Sequence, residues 1–151
     1  MEPSDALAKV QEIDLSSILW KLKNPLHGNG MSDAELKEGL LVYQQFLALQ
    51  LAYPEETIVP TELVDKFWHA HILDTSKYAE DCGALFGKFL HHFPYAGWQG
   101  GKAEEEHQAA FTRTKELFES HFCGIAGVAM LCPKGYCDPD VNQLRPSYIP
   151  A

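Results

Sequence analysis

The residues with chemistry to offer crowd into one stretch of the chain. Asp65-Lys66-Phe67-Trp68-His69-Ala70-His71-Ile72-Leu73-Asp74-Thr75 holds two histidines and two aspartates, and Tyr78, Cys82 and the pair His91-His92 follow. Imidazole, carboxylate and thiolate side chains hold transition metals, and imidazole also moves protons near neutral pH. The spacing predicts a helix, on which side chains two apart point in different directions. His69 and His71 therefore cannot serve one ion together. Val64, Phe67, Trp68, His71, Thr75, Tyr78 and Cys82 fall on one broad stripe. Asp65 and His69 form an i, i+4 pair at its edge, and Lys66, Ala70 and Lys77 face the other way.

Two arrangements follow. Asp65 with His69 is a ligand pair, or a carboxylate orienting an imidazole. His71 with Thr75, Tyr78 and Cys82 is a polar strip inside an apolar face, where each buried polar group needs a partner. The plainer reading makes the first pair a helix-surface ion pair and His71 a hydrogen-bonded core histidine. What favours a metal is the second cluster, since His91-His92 can fold back on the same helix and adjacent histidines diverge. Asp65, His69 and one of His91 and His92 would make two histidines and one carboxylate. That set is compatible with zinc, or with iron or manganese at a site with open positions. Adding Cys82 would shift the preference towards zinc or copper. His71, Cys82 and Tyr78 are the candidates for acid–base or other catalytic work, and Trp68 for a pocket wall.

Other clusters are weaker. His121, Cys123, Cys132 and Cys137 have gaps too long for paired zinc knuckles, so free thiols or a Cys132–Cys137 disulfide are the better expectation. Cys82 as a nucleophile lacks support, because Glu80 and Asp81 beside it would raise a thiol pKa. Gly100-Gly101 before a helix resembles an anion site but has no phosphate-loop pattern around it, and reads as a turn.

The elements that must position these residues are helical. Leu7, Val10, Ile13, Ile18, Leu19 and Leu22 give two helical pieces separated at Asp14-Leu15-Ser16-Ser17. Ser32-Asp33-Ala34-Glu35 is a capping box opening a helix of about five turns, whose stripe includes Leu36, Leu40, Tyr43, Phe46, Leu47, Gln50 and Leu51. Pro60-Thr61-Glu62 starts a third long helix expected to run to about Cys82, with Gly83 and Gly87 bracketing a short link. A last helix is expected from about Lys102 to Phe122, carrying Ala110, Phe111, Thr114, Leu117, Phe118 and His121 on one side. The expected fold is all-α: a compact bundle of four to five helices over residues 1–124, with an irregular tail over 125–151.

With 151 residues, 46% of them hydrophobic, the chain suits one globular domain. A formal charge of −9 disfavours phosphate backbones and anionic membranes, so neither nucleic acid nor membrane is an expected partner. No signal-peptide pattern and no run of about 18 apolar residues is visible, and the expected address is the cytoplasm, where thiols stay reduced.

Trp68-His69-x-x-Ile72-Leu73-x-Thr75-x-x-Tyr78, then Cys82, Gly87 and His91-His92-x-Pro94, resembles the glycine-rich domain-containing protein-like family, in its short stand-alone form. The resemblance covers about Glu62 to Pro94. It implies that the position of His71 can be aromatic, which moves weight to Asp65, His69, Cys82, His91 and His92; it implies no particular reaction. The expected function is a protein binding a divalent transition metal (iron, zinc or copper), acting as a small oxidoreductase or oxygenase on a peptide or small molecule. The alternative is a non-catalytic interaction module in which the same residues form a structural polar network or hold a structural metal.

Overall fold

The computed structural model describes residues 1–93 and 100–122. Six helices follow one another there: α1 (Pro3–Gln11), α2 (Ser16–Lys23), α3 (Asp33–Ala52), α4 (Glu62–Leu73), α5 (Thr75–Phe86) and α6 (Gly101–Phe122). The all-α class holds, with one or two more helices than expected. The tail over 125–151 lies outside the described residues, as do Pro94, Gly97, Trp98, Cys123, Cys132 and Cys137. No helix among the described residues is long and apolar enough to cross a membrane.

Local signals set several of the ends. Asp14 accepts from the Ser16 amide at 3.0 Å at the start of α2. Ser32 and Glu35 close the capping box on α3, the Glu35 amide donating to Ser32 and the Ser32 amide to Glu35. Thr61 accepts from the Val64 amide to cap α4.

α3 is the central element: α1, α2, α4 and α6 pack against it, and α5 packs on α4. Tyr43, Phe46 and Leu49 of α3 are fully buried, with Phe67 of α4 and Phe118 of α6. α6 is tied to the link between α3 and α4. The Val59 amide donates to Thr114 at 3.0 Å, Tyr53 and His121 meet at 2.6 Å, and Arg113 pairs with Glu56 at 3.2 Å.

The helix expected from Pro60 to Cys82 is two helices. The chain turns at Asp74 (φ −83°, ψ 73°), and α5 folds back beside α4. In one straight helix, residues ten apart would stand about 15 Å apart along the axis. Here Trp68 reaches Tyr78 at 2.8 Å and His71 reaches Asp81 at 2.7 Å. The wheel drawn across Asp74 therefore fails beyond it, and Ala70, placed on the outer side, is buried. Gly83 lies inside α5 rather than in a link. Gly87 ends the helix with φ 66°, a left-handed conformation that glycine takes without a steric penalty.

Gly39 marks a close approach of α3 to α4. A Cβ there would overlap Cε2 and Cζ of the buried Phe67 ring. Alanine normally gains up to about 1 kcal/mol over glycine inside a helix. Gly39→Ala is instead expected to lose about 1–3 kcal/mol in thermal unfolding through overpacking, and adding Phe67→Leu should recover part of that loss.

Candidate metal centre

Asp65 and His69 stand one turn apart on α4, so their side chains share a face. The third component comes from the segment after α5, and three contacts set its course. Gly87 turns the chain out of α5, the Tyr78 hydroxyl donates to the Leu90 carbonyl at 2.5 Å, and the Trp68 ring lies 4.3 Å from the His92 ring, centre to centre. His92 is thereby laid across α4. Its Nε2 is 2.6 Å from Asp65 Oδ1 and 3.1 Å from His69 Nε2, and His69 Nε2 is 3.3 Å from the same carboxylate oxygen.

Among the described residues these three form the one group of three or more His, Cys, Asp or Glu whose ligand atoms come together, all within 4.8 Å of one another. Neither His91 nor Cys82 belongs to it. His91 is exposed with its ring against Phe89 at 4.9 Å. Cys82 is a buried free thiol. The Asp65 and His92 side chains are 14% and 13% exposed, while His69 is 55% exposed. The group is walled on the protein side and open on the His69 side. For ligand bonds of about 2.1 Å, an ion equidistant from all three atoms would stand to one side of their plane, the facial arrangement that leaves further positions free.

His71 belongs to a separate, enclosed network. Its Nδ1 is 2.8 Å from the Tyr43 hydroxyl and its Nε2 is 2.7 Å from Asp81 Oδ2, with Lys77 Nζ 3.1 Å from that same oxygen. Tyr43 and His71 are both buried. Burial pushes the His71 imidazole pKa below the ordinary histidine value despite the carboxylate at its edge. Lys77 already supplies Asp81 with a cation, so a neutral His71 completes the network: Tyr43 donates to Nδ1, and Nε2–H donates to Asp81. Burial also holds the Tyr43 hydroxyl pKa well above the ordinary tyrosine value.

Tyr78 shows the same behaviour. Its hydroxyl donates to Leu90 and accepts from Trp68 Nε1–H, and burial raises its pKa. Its donor role is taken up in fixing the return segment.

A cleft of about 240 Å³ adjoins the three-residue group, and His92 borders both. Ile58, Val59, Pro60, Trp68, Leu90 and Phe93 give it apolar walls, and Gln50 and Thr57 add polar groups. His107 of α6 closes it, with an Nε2 that is buried and has no hydrogen-bond partner among the described residues.

Tyr43, Asp81 and His107 were missed as site residues in the sequence. Tyr43 reads as one more member of the α3 stripe, and Asp81 is hidden by the turn at Asp74. For His107 a signal existed: it lies three, four and seven residues before Ala110, Phe111 and Thr114, so it shares their inward face.

No curated protein matches the chain, and no solved structure matches it. The resemblance to the glycine-rich domain-containing protein-like family does not stand, because another family's model covers most of the described helices. The misleading motif is short, and its Trp68, Tyr78 and Gly87 are what a bent helix pair needs in order to hold its return segment. The matching model, described as UCP032817-like, takes in residues 10–117, from the end of α1 into α6, and the chain belongs to that family, whose description names no activity.

Proposed function

We propose that the protein binds one divalent transition-metal ion through Asp65 Oδ1, His69 Nε2 and His92 Nε2, and uses it on a small molecule or peptide in the cytoplasm. One observation carries this reading: three lone-pair atoms from two separate elements lie within 3.3 Å of one another. Without an ion, Asp65 Oδ1 can accept from His92 Nε2–H at 2.6 Å and more weakly from His69 Nε2–H at 3.3 Å, but that leaves two N–H groups facing each other 3.1 Å apart. A cation satisfies all three lone pairs at once. With Cys82 outside the group, the donors are two nitrogens and one oxygen, and copper loses the thiolate that favoured it. Iron(II) and zinc suit the set, and iron with open positions supports oxidoreductase or oxygenase chemistry.

A second reading has its own observation. The 2.6 Å bond from His92 to Asp65 holds the return segment on α4 without any ion. In that case the group is a structural latch in a non-catalytic interaction module.

Titrating chelator-stripped full-length protein with Co(II) and with anaerobic Fe(II) separates the two. The metal reading expects one equivalent bound. At a hundredfold excess over Kd, the stabilisation of about 2.7 kcal/mol corresponds to a Tm rise of roughly 5–10 °C. No uptake and an unmoved Tm would leave the latch.

A further inference from the structure

We infer that the cleft beside His92 is a binding site for an uncharged molecule about one ring in size, apolar over most of its surface, with one group that hydrogen-bonds His107 Nε2. The argument starts from that nitrogen. A buried polar atom with no partner costs free energy, and a bound group that pairs with it recovers that cost. His107 Nε2 is buried, has no partner among the described residues and is part of the cleft lining.

Size and walls define the rest of the occupant. An apolar cavity of about 150 Å³ holds benzene. At about 240 Å³ this cleft takes a ring with a few more atoms. Trp68 and Phe93 offer aromatic walls, and Ile58, Val59 and Leu90 offer aliphatic ones. Such a surface, with a small number of placed polar groups, is the usual make-up of a small-molecule site.

Charge is disfavoured on both sides. The described lining contains no lysine or arginine to receive an anion. Glu56, its one carboxylate, is paired with Arg113 at 3.2 Å. Burial lowers the His107 pKa, so the imidazole meets the occupant as a neutral partner. His92 borders the cleft and the three-residue group alike; that the occupant is the substrate of an ion held there rests on the metal reading, whereas the cleft does not.

The test uses the full chain with phenol as probe, toluene as its counterpart without the hydroxyl, and benzoate as the charged one. Phenol is expected to bind saturably at millimolar concentration or below and to move the His107 Nε2 nitrogen resonance. Toluene should bind without that shift, and benzoate should not bind the chelator-stripped protein. His107→Phe should weaken phenol about tenfold and change toluene less than twofold, while His107→Gln keeps most of the phenol affinity. The absence of a saturable phenol shift at His107 in the native protein would overturn the inference, as would equal phenol affinity in a folded His107→Phe variant. The measurements are made on chelator-stripped protein and repeated with Co(II). Cobalt uptake without phenol binding sinks the cleft alone, and phenol binding without cobalt uptake sinks the metal reading alone.

Discussion

Replacing His71 with alanine is expected to destabilise the protein by about 3–5 kcal/mol, from the loss of a large buried side chain together with a buried hydroxyl left unpaired. The imidazole is 1% exposed and joins Tyr43 to Asp81 in the network. Its removal leaves the Tyr43 hydroxyl without that partner inside the core and opens a cavity between α3, α4 and α5. For a chain of this size the Tm should fall by roughly 10 °C or more. Tyr43→Phe keeps the ring packing and removes one hydrogen bond, so about 1 kcal/mol is expected there.

The same imidazole makes stability depend on pH, with a definite sign. Its folded pKa is lowered from the ordinary histidine value of 6.5, chiefly by burial. The unfolded chain therefore binds the proton more readily. The His71 contribution is complete above pH 6.5 and is lost as pH falls through the lowered folded value. Denaturant unfolding at a series of pH values should show this decline, and it should flatten in His71→Gln. A stability profile independent of His71 over that range would contradict the assignment of a neutral imidazole.

The second large effect concerns ion affinity and follows from the proposed metal reading. His92→Ala is expected to weaken Co(II) or Fe(II) binding by at least about a hundredfold, because losing an orienting partner alone typically costs 10–100-fold and a direct ligand should cost no less. Asp65→Asn should act in the same direction, since it removes the one formal negative charge among the three donors. His91→Ala and Cys82→Ser are the controls, and neither should change affinity more than about threefold. Calorimetric or absorption titration reads all four. Equal affinity in His92→Ala and the native chain would remove His92 from the site, whatever else holds the ion.

Much of this was legible in the residues, and the failures have physical causes. The caps at Ser32 and Thr61 were readable because an N-cap needs only a side chain and an amide two or three residues on. Grouping Asp65 with His69, and expecting one of His91 and His92 to join them, needed only the i, i+4 rule and the divergence of adjacent side chains. The turn at Asp74 was not legible. Asp74 is neither glycine nor proline, and the apolar stripe continues in register on both sides of it. That turn decides which partners His71 takes, so extending one wheel across it paired His71 with Tyr78 and Cys82. The rings of His71 and Tyr78 do meet, at 4.9 Å, but the hydrogen bonds go to Tyr43 and Asp81. Tyr43 lies 28 positions before His71, a distance that helical periodicity cannot bridge.

The turn at Asp74 also has a kinetic consequence. Asp65, His69 and His92, with the Trp68–Tyr78–Leu90 contacts that steady them, all lie between residues 65 and 92. Closing so short a loop costs little chain entropy, and contacts of low sequence separation form early. The cleft is different: it needs His107, and α6 docks through Tyr53–His121 and Val59–Thr114, pairs 68 and 55 positions apart. During refolding Asp65, His69 and His92 should come together before the cleft closes. In pulsed hydrogen exchange, amides of α4 and α5 are expected to gain protection ahead of those in α6, so an ion could be captured by a chain that has not yet built the pocket beside it.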